Sequence, residues 1–310
     1  MKFEDVIYAS LGKRQRYKTQ RMGIEVEYER HQGEIPAFDY WAWEHDNSLR
    51  NHGIEFISQP LTDAERPAAL DELHEYLDGS GLEAHARCGV HVHMNVQFWT
   101  WKQLFTFLST YALVEPYLFN QYAPGREDNH FCVPLTLNER LVDGLATDAA
   151  ALRSGRAVGL ELLRCSKYSA LNLKPIQNLG TIEFRHLAGT LDVAVVEEWC
   201  RGLQRMRDFA EGQEGPVEVV QQYEDLGIEH LLERLEIHTC EIEEEWKEDA
   251  YFSASLLCGY EEPKWQDMEW NFNEEPIVVD APPPNMPDLE MNAVQRQMIE
   301  DILNRNIRRD

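Results

Sequence analysis

Bases are scarce in this chain: 29 lysines and arginines face 55 aspartates and glutamates, a net charge of -26 over 310 residues. So acidic a protein repels phosphate backbones and anionic headgroups, which excludes general binding to nucleic acid or to anionic membrane. Long apolar runs are also missing, and none approaches the roughly 18 residues of a membrane helix. The six cysteines (88, 132, 165, 200, 240, 258) include no CxxC pair. With no signal peptide ahead of them, they read as reduced thiols of a cytoplasmic protein rather than as a disulfide framework. There is no internal repeat. A Walker A loop is absent too: "LGKR" at 11–14 lacks the glycine five positions before Gly12, and no Ser or Thr follows Lys13. Any nucleotide must be bound by other means.

The acid is unevenly spread. Residues 211–310 hold 26 acidic and 7 basic residues, -19 of the -26, so the first 210 residues are nearer balance. At this length the chain can form one large domain or two smaller ones. Residues 3–11 read as a short helix or edge element, followed by the basic run "KRQRYKTQR" at 13–21. Strands are expected at "GIEVEYE", "GIEFIS" (53–58), "GVHVHMNV" (89–96), "SALNLK" and "TIEFRHLA", with a turn at Asn178-Leu179-Gly180 between the last two. Helices are expected over 63–79, capped by Thr62 or Asp63 and ended by Gly79, over the apolar 100–119, and over the amphipathic 192–212. Residues 124–158 read as mixed and loop-rich. A mostly helical acidic region runs to about 260.

The pattern points to an α+β fold. Its largely antiparallel, curved sheet would have one polar face, with the helices at 100–119 and 192–212 covering the other. We expect a catalytic domain over 1–260, with a motif core at 20–195 and an acidic helical part at 213–260. Residues 261–310 would form a separate Pro- and acid-rich strap and C-terminal helix, the plainer alternative being a disordered acidic tail. Trp265, Met268, Trp270 and Phe272 would anchor that strap, and the final helix would dock on the same chain or a second subunit, allowing a homo-oligomer.

The strands share an oddity. Glu25 and Glu27, His91 and His93, and Glu183 and Arg185 each sit at i, i+2 between apolar neighbours, and the second strand adds Glu55. Side chains two apart on a strand share a face. If all lie on one sheet face, carboxylates, imidazoles and a guanidinium converge on one cavity. Adjacent carboxylates repel, so a cation should sit between them or one should hold a proton. Taken singly each pair has a plainer reading: a solvated edge for ExE, satisfied histidines for HxH, a cross-strand ion pair for ExR.

Together, and in this order, they match a known pattern. "GIEVEYE", "DNSLRNHGIEFISQPL", "CGVHVHMN" and "ALNLKPIQNLGTIEFRHLAGTLD" resemble the four successive motifs of the amidoligase family, carboxylate–amine ligases distantly related to glutamine synthetase and gamma-glutamylcysteine synthetase. The resemblance implies a glutamine-synthetase-like sheet in a bacterial or phage-infected cell. It also implies an ATP-dependent ligation in which a carboxylate is phosphorylated and an amine attacks the acyl phosphate. Small-molecule or peptide carboxylates and amines would be the substrates. Mg²⁺, or Mn²⁺, would be the cation, since Mg²⁺ favours carboxylate oxygens. By similarity, Glu27 and Glu55 would hold one metal, and Glu25, His91 and Glu183 a second. His93 would contact ATP phosphate, and Arg185 would stabilise the phosphoryl group in flight. Lys174 would reach phosphate, or else be a surface lysine. Asp46, Ser48, Arg50 and Asn172 would border substrate, and Gly189 and Thr190 would shape the turn after the arginine strand.

Two other readings fit some of these residues. HxH on a strand also opens the pattern of metal-dependent amide hydrolases, but those need further histidines and an aspartate on later strands, and His186 would face away from Glu183. A non-catalytic binding or structural protein that keeps the fold is the second. For Cys88, a small buried residue entering a strand is the simpler reading than a nucleophile, because ATP-driven ligation needs no thiolate.

Overall fold

The strand that carries Glu25 and Glu27 is β1, Met22–Tyr28, at the centre of a six-stranded antiparallel sheet. The computed structural model describes residues 17–85, 87–155 and 166–259. The expected element at 3–11, the strap at 261–287 and the terminal helix at 288–307 therefore lie outside the described residues, as do the first residues of the basic run. The other strands are β2 (Trp41–His45), β3 (Ile54–Ser58), β4 (Val90–Asn95), β5 (Leu171–Asn172) and β6 (Thr181–Phe184). Their order is β2-β3-β1-β4-β6-β5. Among the described residues the helices are α1 (Arg66–Leu77), α2 (Trp101–Tyr122), α3 (Glu139–Arg153), α4 (Pro175–Asn178), α5 (Val193–Glu211), α6 (Pro216–Leu226), α7 (Ile228–Leu235) and α8 (Glu244–Cys258). The protein is thus a mixed helix and antiparallel-sheet fold, as the sequence pattern predicts.

The sheet has two unlike faces because its strands alternate. Ile24, Val26, Phe56, Val90, Val92, Ile182 and Phe184 are buried on one side, in a single large core. Phe107 and Tyr111 of α2 and Trp199 of α5 pack against Phe184. These are the two expected covering helices. A third cover is α1, whose Tyr76 packs on Phe56 and whose Ala69 carbonyl accepts the Trp41 indole N–H at 2.7 Å.

Helix α2 starts where the sequence says it should. Thr100 and Gln103 form a reciprocal capping box. It carries Pro116 internally, yet 17 of its 22 residues are buried. Helix α5 is capped by the Asp192 carboxylate on the Ala194 N–H and stops at Gly212. Helix α1 is shorter than expected. Thr62 and Glu65 cap one another one turn earlier, through Thr62 N to Glu65 Oε2 at 2.8 Å and Glu65 N to Thr62 Oγ1 at 3.3 Å.

The described part of 124–158 is mixed and loop-rich, as expected, and its helical part is α3, Glu139–Arg153, capped by the Asn138 side chain on the Leu141 N–H. Two other points differ from the sequence pattern. The edge strand β2 has no counterpart in the sequence pattern, since four of its five residues are exposed and show no alternation. The pair "SALNLK" and "TIEFRHLA" is less extended than predicted. Only Leu171–Asn172 and Thr181–Phe184 are strand, and the one-turn helix α4 fills the connection before Gly180, at φ +67°, turns the chain.

Candidate active site

The register of the central strands sets the polar face. Glu25 lies opposite His91, Glu27 opposite Glu55, and His93 opposite Glu183. Glu44 of β2 lies opposite Glu55 in turn. The outcome is a row of three carboxylates, Glu44, Glu55 and Glu27, beside the histidine and Glu183 cluster. Arg185 follows one residue beyond β6.

The contacts are close. His91 Nδ1 lies 3.4 Å from Glu25 Oε2 and 3.8 Å from Glu183 Oε1, while its Nε2 lies 3.9 Å from Glu27 Oε1. His93 Nε2 is 3.2 Å from Glu25 Oε1, and its Nδ1 is 3.0 Å from Thr181 Oγ1. The Asn172 amide donates to Glu183 Oε2 at 2.6 Å, and Arg185 Nη1 pairs with Glu183 Oε1. Glu27 Oε2 accepts the Gly89 N–H at 2.7 Å. Glu27, His91 and Glu183 are each more than nine-tenths buried.

Two ligand sets emerge. Glu25, His91 and Glu183 can place one donor atom each within 4.8 Å of one another, and so can Glu27, Glu55 and His91. The sequence grouping assigned His91 to the first set alone; the geometry makes it common to both.

The electrostatics follow from the crowding. Burial pushes the Glu55 carboxyl up, and the charges of Glu25, Glu27, Asp46 and Glu44 add to it, to about 8. Burial likewise raises Glu27, against the opposing charge of His91 and the Gly89 hydrogen bond. Burial alone would also raise Glu25, but hydrogen bonds from His91 and His93 more than reverse this and hold it well below the usual carboxylate range. Burial opposes charge on His93, and its hydrogen bond to Glu25 outweighs that and raises it. Repulsion within the cluster is therefore only partly balanced from inside the chain.

A cavity of about 310 Å³ opens at the His93 end. His93 and Glu25 form its inner wall, and Tyr17, Ile57, Pro60 and Leu179 give it apolar sides. The Arg21 guanidinium lies 5.0 Å above the Tyr17 ring. At the opposite end Asp46 spends both carboxylate oxygens on Ser48, through its N–H at 2.7 Å and hydroxyl at 2.8 Å. The Arg50 N–H is held by Glu29, which is fully buried and also takes Arg87 Nη2 at 2.7 Å and Asn51 Nδ2 at 3.1 Å. Asp46, Ser48 and Arg50 thus form the β2–β3 turn, and Asp46 is near enough to act electrostatically on Glu27 and Glu55. Lys174 is exposed on the α4 connection, with its backbone N–H bound to Asn172 Oδ1.

Two residues were missed by sequence reasoning. Arg126, nine-tenths buried, donates from Nη1 to the Cys88 carbonyl at 3.2 Å and from Nη2 to the Arg185 carbonyl at 3.4 Å. It ties the start of β4 to the end of β6. Glu115 of α2 is fully buried and accepts from Tyr111 OH, Leu135 N, Thr136 N and Thr136 Oγ1 at 2.6–2.8 Å. It anchors the loop that reaches Arg185, whose Nε donates to the Phe131 carbonyl at 3.3 Å. An arginine or a glutamate in such a stretch carries no spacing signal. Cys88 is buried and its thiol is raised by that burial, so it is no ready nucleophile.

This constellation, a carboxylate and imidazole face with one arginine at its edge, coincides with a family assignment. Residues 10–206 match the family model described as "Putative amidoligase enzyme". The chain belongs to this family. A search of curated proteins found no match. The amidoligase assignment covers every strand of the sheet and makes the protein a ligase by family. It also bears on the hydrolase alternative. His186 is fully buried on the apolar side, 2.8 Å from Tyr111 OH, and does not join His91 and His93. Among the described residues no helix of this amidoligase is long and apolar enough to cross a membrane.

Proposed function

We propose that the protein is an ATP-dependent carboxylate–amine ligase that works through an acyl phosphate on a glutamine-synthetase-like sheet. The observation that carries this reading is the pair of ligand sets sharing His91, with Arg185 at their edge. The donors fit a divalent hard cation. They are mainly carboxylates, they lie within 4.8 Å, and they carry repulsion that a cation relieves, which favours Mg²⁺ or Mn²⁺ over zinc. Glu25, His91 and Glu183 would hold one ion and Glu27 and Glu55, with His91, the other. Bound there, such ions would neutralise phosphate charge and polarise the phosphoryl group.

The chain's own groups divide the remaining work. A substrate carboxylate oxygen attacks the γ-phosphorus of ATP, and ADP leaves. The amine nitrogen then attacks the acyl carbon, inorganic phosphate leaves, and the amine's proton passes to solvent. Arg185, fixed by Glu183 and the Phe131 carbonyl, supplies a preorganised cation where phosphoryl charge develops. Asn172 holds Glu183, and Thr181 fixes the His93 ring so that Nε2 points toward Glu25. The cavity at the His93 end would take the nucleotide, its apolar walls meeting the nucleoside. Lys174, on the connection beside it, would contribute by charge.

The test is turnover. The full-length protein with Mg²⁺, ATP and pooled carboxylates and hydroxylamine should release ADP and phosphate and form a hydroxamate, the trapped acyl phosphate. Release of AMP and pyrophosphate instead would replace the scheme with an adenylating ligase. No nucleotide turnover with any pool, from protein that still binds Mn²⁺ and ATP, would favour a binding role.

A further inference from the structure

Beside Arg185 the chain leaves two large rings in water. Phe131 is 58% exposed and Tyr168 37%, their centroids are 5.2 Å apart, and their planes meet at 82°, an edge-to-face pair. Neither lies on a loose end. The Phe131 N–H is held by Asn129 Oδ1 at 2.9 Å, and its carbonyl accepts Arg185 Nε. Val133 N donates to the Tyr168 carbonyl at 2.9 Å and Ala170 N to the Val133 carbonyl at 2.7 Å, so the two segments are stitched as a parallel bridge. Glu115 clamps that loop a little further on, at the Leu135 and Thr136 N–H groups. Lys167 Nζ stands 5.1 Å above the Tyr168 ring. Phe131 keeps more than half of its surface in water and so adds little to stability, while Tyr168, about one-third exposed, backs it.

The flanks of the site also differ in charge. On the β2–β3 side stand Glu44, Glu55 and Asp46, while on this side stand the Lys167 ammonium beside the two rings and the Arg185 guanidinium, which is paired with Glu183. An anion with an apolar body matches the second flank and is repelled by the first. We propose that Phe131, Tyr168 and Lys167 form the specificity wall for the acyl substrate, a carboxylate that carries an aromatic or large aliphatic body. The carboxylate would point toward Arg185 and Lys167, and the body would lie against the rings. The inference rests on the ligase reading only for naming the bound acid as substrate.

Equilibrium binding separates the two. The probes are N-acetyl-L-phenylalanine, its uncharged methylamide, and N-acetylglycine, titrated calorimetrically into the full-length protein with and without Mg²⁺ and a non-hydrolysable ATP analogue. The acid should bind at least about tenfold tighter than either control. Phe131→Ala and Tyr168→Ala should each weaken it about tenfold, Tyr168→Phe should keep it, and Lys167→Gln should weaken the acid but not the methylamide. The melting temperature should stay unmoved in Phe131→Ala, the more exposed of the two, which separates lost binding from lost fold. Equal binding of the three probes, no binding in either condition, or indifference to Phe131→Ala overturns the wall. A protein that binds the acid as described but consumes no ATP keeps the wall and loses the ligase reading. One that ligates small acids without preference does the reverse.

Discussion

Glu25 and His91 face each other across β1 and β4, with His91 Nδ1 3.4 Å from Glu25 Oε2. The same imidazole turns its other nitrogen toward Glu27, so one ring belongs to both ligand sets. Removing it should therefore do what no single carboxylate change does. Glu55→Gln should weaken one Mn²⁺ site and Glu183→Gln the other, each by about 10- to 100-fold, while His91→Ala should weaken both. Stoichiometry by Mn²⁺ paramagnetic resonance reads the difference. Two intact sites in His91→Ala would show that the sets do not share it.

Arg185 should separate binding from turnover. Its guanidinium is held by Glu183 and the Phe131 carbonyl, a placement suited to charge that appears only as the phosphoryl group moves. Arg185→Ala should leave the nucleotide dissociation constant within a few-fold while lowering kcat by about 100-fold or more. ADP release under single-turnover conditions, beside a direct nucleotide titration, makes the comparison. A large loss of nucleotide affinity with kcat retained would place Arg185 in ground-state binding.

Arg126 should behave as a positioning residue. It touches the Cys88 and Arg185 carbonyls and none of the site's acids or imidazoles in the contacts seen among the described residues. Arg126→Lys keeps the charge but loses the fork that reaches both carbonyls at once. We expect kcat to fall about tenfold with the Mn²⁺ affinity of both sites unchanged. A matching fall in Mn²⁺ affinity would mean that Arg126 shapes the ligand sets and not the Arg185 end alone.

The site was more legible than its supports. Glu25, Glu27, His91, His93, Glu183 and Arg185 stand at i, i+2 between β-branched and aromatic residues, and strand alternation alone puts each pair on one face. Strand β2 hid because an exposed edge needs no alternation, and Trp43, Glu44 and His45 are all exposed. Helix α3 hid because its buried face is diluted with alanine, although Asn138 three residues before Leu141 was a readable cap. Arg126 and Glu115 carry no signature, since the backbone groups they hold lie about 20–60 residues away and only the fold brings them near.

Gly189 is fixed by a close approach. A Cβ there would sit 2.5 Å from Cys88 Cβ and 3.1 Å from the Cys88 carbonyl carbon, where the chain leaving β6 crosses the start of β4. Gly189→Ala must push that crossing apart, and its N–H bond to the Cys88 carbonyl with it. We expect a loss of about 1–3 kcal/mol, read as a lower midpoint in urea with the slope unchanged. The Ala variant at Gly79, where a Cβ meets nothing within 4 Å but φ is +79°, controls for backbone strain without a clash. Equal losses at the two positions would mean that conformation and not contact is the cost.

His186 should make the fold acid-sensitive. Its ring is fully buried among Tyr111, Phe119 and Trp199, with Tyr111 OH 2.8 Å from Nε2. Burial first, and the charge of Arg126 second, depress its pKa to about 3, against an ordinary value near 6.5. The sign follows from proton counting. Between those two values the unfolded chain holds a proton on this histidine and the folded chain does not. The stability it contributes is therefore complete above about pH 6.5 and is lost as pH falls toward 3, at up to about 1.4 kcal/mol per pH unit. His186→Gln removes the titrating group and keeps a donor for Tyr111. The variant will be less stable at pH 7.5, but its unfolding free energy should fall less steeply than the wild type's between pH 6.5 and 5. Urea midpoints at four or five pH values give both slopes, and parallel slopes would show that His186 does not stay neutral in the core.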